Sequence, residues 1–76
     1  MHSRRTKLVL AAVQALVNAG QQGLTPAEIG QHLRTNGEPM PAWAVRGELS
    51  TLEASGEVRV DPATALWYLT TPASQA

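Results

Sequence analysis

The chain has no cysteine, which excludes a disulfide framework and a thiolate metal site and suits the ordinary reducing cytoplasm. It also has no net charge. Six basic and six acidic side chains cancel, so the strongly basic footprint of a purely electrostatic nucleic-acid binder is missing. The longest apolar run, Leu8 to Val13, is far shorter than a bilayer span, which argues against a membrane partner. Two arginines precede that run as they would in a signal peptide, but Gln14 and Asn18 continue a helical polar stripe through it. No internal repeat, low-complexity tract or glycine-rich phosphate loop is visible.

What is present is enough for one domain with one small core: 76 residues, 43% hydrophobic and 16% charged. The charges are unevenly spread. Residues 1–27 carry Arg4, Arg5 and Lys7 and no acid, whereas residues 28–61 hold all six acids with Arg34, Arg46 and Arg59.

The segment from Pro41 to Val58 reads as a helix, a stop and the start of a strand. Val45, Leu49 and Leu52 recur at i, i+4 and i+7 and must be buried, which leaves Trp43, Gly47, Ser50 and Ala54 on the opposite face with Arg46 at its edge. Gly56 ends this helix. A first helix begins near Ser3 or Thr6, either of which can cap it, and ends before Gly20. Its solvent stripe is Lys7, Ala11, Gln14 and Asn18, and Val9, Ala12, Val13 and Leu16 face the core. Leu8 and Ala15 on one flank, with Leu10 and Val17 on the other, widen the apolar arc. That arc is either gripped by the fold or offered to a second copy or another partner.

The second helix has the most specific start signal. Thr25 is the N-cap, Pro26 sits at N1, Glu28 completes a capping box, and Leu24 and Ile29 are spaced as a hydrophobic staple. Ile29 and Leu33 face the core, Gly30 offers a place for another helix to approach, and Asn36-Gly37 stops the helix. After Gly56 the period turns to two. Val58 and Val60 point one way, residues 61–64 turn, and Leu66 to Thr70 return with Trp67 and Leu69 toward the core and Tyr68 outward.

Helix, short capped helix, third helix ending in L-x-x-L-x-x-x-G-x-V, then a hairpin: this α+β order resembles the winged helix-turn-helix family. The resemblance rests on Leu24 to Ile29 with Leu33, on Leu49 to Leu52 with Gly56 and Val58, and on Leu66 to Thr70. It implies a winged-helix domain over residues 6–70, between a flexible basic start at 1–5 and a flexible tail at 71–76. It further implies that Leu24 lies in a short strand against the hairpin, that the third helix is the recognition helix, and that residues 61–65 form the wing tip. The implied function is binding of double-stranded DNA by a small transcriptional regulator or mobile-element accessory protein. The alternative is a protein-interaction module that uses helix three or helix one.

On the DNA reading, Arg46 and Ser50 read bases, Trp43 makes apolar contact and Gly47 admits a close approach. Arg34, Arg59, Arg4 and Arg5 then hold phosphates. Residues 41–61 depart from the family's basic pattern, with two arginines against Glu48, Glu53, Glu57 and Asp61, a formal balance of −2. No enzyme activity or cofactor is expected. His2 lies in the start segment, His32 has no cysteine or carboxylate at ligand spacing, and Glu48 and Glu53 do not share a helix face, Glu48 being a solvated side chain or a partner for a neighbouring arginine.

Overall fold

The computed structural model describes residues 2–70. Three helices, α1 (Arg4–Asn18), α2 (Pro26–Thr35) and α3 (Ala42–Ala54), are followed by strands β1 (Val58–Asp61) and β2 (Leu66–Leu69). This is the α+β layout that the sequence periodicities predict. The expected tail at 71–76 lies outside the described residues.

Local chemistry explains where each helix stops. Gly20, Gly37 and Gly56 all have positive φ. After α1 the amide of Gly20 donates to the Val17 carbonyl and that of Gln21 to the Leu16 carbonyl. The same pair of bonds closes α2 through Gly37 and Glu38, and α3 through Gly56 and Glu57. This is the Schellman arrangement, which needs a left-handed residue just past the helix, where glycine has no Cβ to clash.

The starts differ from one another. Ser3, not Thr6, caps α1, accepting from the Thr6 amide, so Arg4 and Arg5 belong to the first helical turn and not to a loose start. His2 is likewise held, against the Glu57 carboxylate. Thr25 and Glu28 form the expected reciprocal capping box of α2. Pro41 precedes α3 and supplies no side-chain cap.

The core is the cluster expected from the helical stripes. Val9, Ala12, Val13, Ile29, Leu33, Val45, Leu49 and Leu52 are buried, joined by Leu24, Ala44 and Val58. Leu16 is only half-buried at its edge. Gly30 does not serve as a helix contact, because a Cβ built there meets nothing within 4 Å. The close approach is at Gly23 instead, where an added Cβ would lie 2.7 Å from Leu66 Cδ1 and 3.2 Å from the Tyr68 hydroxyl.

β1 and β2 pair antiparallel with Val58 opposite Leu69, Arg59 opposite Tyr68, Val60 opposite Trp67 and Asp61 opposite Leu66. Asp61 therefore ends β1 instead of opening the turn. Its carboxylate accepts from the Ala63 amide, and the turn closes through Ala65 at φ 61. On the other edge of β2, Leu24 and Trp67 exchange both backbone hydrogen bonds, at 2.9 and 2.8 Å, which gives Leu24 its expected place beside the hairpin.

Candidate nucleic-acid interface

Burial of Val45, Leu49 and Leu52 fixes the rotation of α3, and Trp43, Arg46, Gly47 and Ser50 are consequently all exposed. Trp43 is 70% exposed. Gly47 is open, with nothing within 4 Å of a built Cβ. Pro41 supplies no side-chain cap to α3, and its carbonyl accepts from the Ala44 and Val45 amides.

Arg46 and Ser50 border a recess of about 370 Å³ whose other walls are Pro26 from α2 and Val60, Ala65 and Trp67 from the hairpin. Sequence reasoning singled out none of these four walls for binding. For Val60 and Trp67 the signal was there: they sit opposite each other on one sheet face, the one turned to α3. For Pro26, read as a helix-start residue, no signal existed.

The remaining expected contacts sit on three other elements. Arg4, in the first turn of α1, pairs with Glu38 at 3.0 Å, and Arg5 beside it is exposed. Arg34, in the last turn of α2, donates to Gln31 at 3.1 Å. Arg59 lies on the sheet face away from Val60 and Trp67, with its guanidinium 4.5 Å from the Tyr68 ring centroid. Tyr68 is accordingly half-covered and not simply outward.

Most acids of the chain are occupied. Glu28 accepts from the Thr25 amide, Glu38 from Arg4, Glu48 from Thr6, Glu57 from Ser55 and Asp61 from Ala63. Glu48 therefore pairs with a threonine of α1, not with an arginine. Among the described residues Glu53 has no such partner, and neither does the Arg46 guanidinium.

Protein-family models, curated proteins and solved structures give no match.

The flanks of α1 are less available than their sequence suggests. Leu8, Leu10 and Val17 are half-buried against the core, and of the four residues expected at a dimer or partner contact only Ala15 is exposed. Leu8 and Ala15 border a recess against α2, formed with His32, Leu33, Asn36 and Glu38. Leu10 and Val17 are not part of that recess.

Proposed function

We propose that this chain is a winged-helix domain that binds double-stranded DNA, with α3 entering the major groove. The observation that carries the reading is the outer face of α3, where Arg46, without a partner among the described residues, stands between the exposed Trp43 and Ser50. An arginine in that position can donate two parallel hydrogen bonds to a guanine edge, and Ser50 can donate or accept beside it. Trp43 supplies apolar contact, and the open backbone at Gly47 lets the helix approach the groove floor. Arg5 and Arg34 hold phosphates; Arg4 and Arg59 contribute only after leaving Glu38 and Tyr68. A small transcriptional regulator or a mobile-element accessory protein is the matching biological role.

Binding of a fluorescent duplex at increasing salt tests this. The log–log salt slope is expected to be shallow, about −2 from Arg5 and Arg34 alone and no steeper than about −4 once Arg4 and Arg59 join. A second copy docked through the Leu8–Ala15 flank would bring two α3 helices to one duplex and offset weak single contacts.

The exposure of Trp43 favours one second reading, a protein-interaction module built on the same face. Absence of duplex binding at low salt, with Trp43→Ala abolishing capture of a protein partner at unchanged melting temperature, would replace the DNA reading with this one.

A further inference from the structure

The recess between α3 and the hairpin has a composition that DNA reading alone does not require. A base-reading arginine needs only exposure. Here Arg46 instead borders a concavity walled by a proline ring, a valine, an alanine and an indole, with Ser50 as the other polar side chain. Its volume, about 370 Å³, falls within the range of small-molecule sites, which are typically apolar with a few placed polar groups. The floor is firm. Trp67 is bonded through its backbone to Leu24 on one side, and on the other it stands opposite Val60 in the β1–β2 ladder. Pro26 is fixed at the start of a doubly capped helix. No acidic residue among those described lines the recess.

We infer that this recess binds a small, flat, singly charged acid: an aromatic carboxylate whose ring lies against Trp67, Val60 and Pro26 while its carboxylate is taken by Arg46 and Ser50. A guanidinium fork matches a carboxylate with two parallel hydrogen bonds, and a serine hydroxyl can add a third. An indole wall favours an offset-stacked ring. One cation against four apolar walls suits one negative charge on an apolar body. The occupant takes Arg46 and Ser50 away from a duplex, so the acid acts as a competitor of DNA; that consequence, unlike the site, rests on the duplex-binding reading.

The probe is 2-naphthoate, titrated into the isotopically labelled full chain without DNA and followed by amide and indole N–H shifts. Saturable shifts are expected at the Trp67 indole, Ser50 and Ala65, with roughly millimolar affinity for so small a ligand in an open recess. The neutral amide, 2-naphthamide, should bind at least about tenfold more weakly, and Arg46→Gln should weaken naphthoate by a similar factor. Arg46 is exposed, so the fold of that variant is readily confirmed from its spectrum. Shifts confined to residues outside the recess, equal binding of the amide, or undiminished binding by Arg46→Gln would each overturn the proposal. A duplex competition then separates the two readings. Naphthoate binding without any duplex binding removes the DNA function and keeps the site, while duplex binding without naphthoate binding does the reverse.

Discussion

Thr6 on α1 donates its hydroxyl proton to the Glu48 carboxylate on α3, at 2.5 Å and across 42 positions of sequence. Thr6 is the one buried polar residue among those described, at 3% exposure, and its hydroxyl also lies 3.0 Å from that of Ser3. Two neighbours make equivalent ties. His2 meets Glu57 at the junction of α3 and β1, and Arg4 meets Glu38 in the α2–α3 loop. Residues 2–6 thus gather three carboxylates from around α3. Glu48, at the half-buried edge of α3, is thereby held on the α1 side of the helix, away from the exposed face that carries Arg46.

Thr6→Val keeps the shape of the side chain and removes the donor. It should cost about 1.5–3 kcal/mol in urea melts, the range for a hydrogen bond to a charged group. Adding Glu48→Gln to that variant should cost little more, because the partner has already gone.

The rotation of α3 is tested by Leu49→Ala, which should cost about 2–5 kcal/mol, against Ser50→Ala, which should change the melt by less than about 0.5 kcal/mol. The reverse ranking would mean that the wrong face of α3 had been assigned to binding.

Three glycines should respond with different signs. Gly47→Ala and Gly30→Ala place a methyl in open space on a helix and should each stabilise by about 0.5–1 kcal/mol. Gly23→Ala should destabilise by about 1–3 kcal/mol as the new methyl is driven onto Leu66 and Tyr68. If Gly47 is a close-approach point for DNA, its alanine variant melts higher yet binds a duplex more weakly.

Acid sensitivity should centre on Glu57. A hydrogen bond from His2, and after it one from Ser55, holds its carboxyl below the ordinary value of 4.5. The unfolded chain then takes up the proton more readily than the folded one. The stabilisation is present above about pH 4.5 and is lost as pH falls through the depressed folded value. Melting temperatures of Glu57→Gln should be flatter across this acid limb than those of the parent, and His2→Ala should flatten them in the same direction.

At the interface, Arg46→Ala should relax sequence preference at one base position by about 1–3 kcal/mol. Arg5→Ala should weaken all duplexes alike and reduce the salt slope by about one unit. Competition binding on a panel of single-base variants distinguishes the two.

Helix order, helix ends and most of the core were legible in the chain because their causes are local. The Thr25–Glu28 capping box, the left-handed stops at Gly20, Gly37 and Gly56, and the apolar spacing of Val45, Leu49 and Leu52 each involve residues within a turn or two of one another. The same spacing exposed Trp43, Arg46, Gly47 and Ser50, since a helix with one face buried has no choice about the other. What could not be read was how charges and side chains pair across the fold. That Arg4 is tied to Glu38, that Arg59 stands behind the hairpin over Tyr68, and that Arg46 has no partner among the described residues all follow from which surfaces meet. A side chain's partner is set by the three-dimensional packing of elements dozens of residues apart, and composition is silent about it. The recess between α3 and the hairpin has the same origin: it exists because Leu24 holds Trp67 in register from one side while the turn through Ala65 returns β2 alongside Val60.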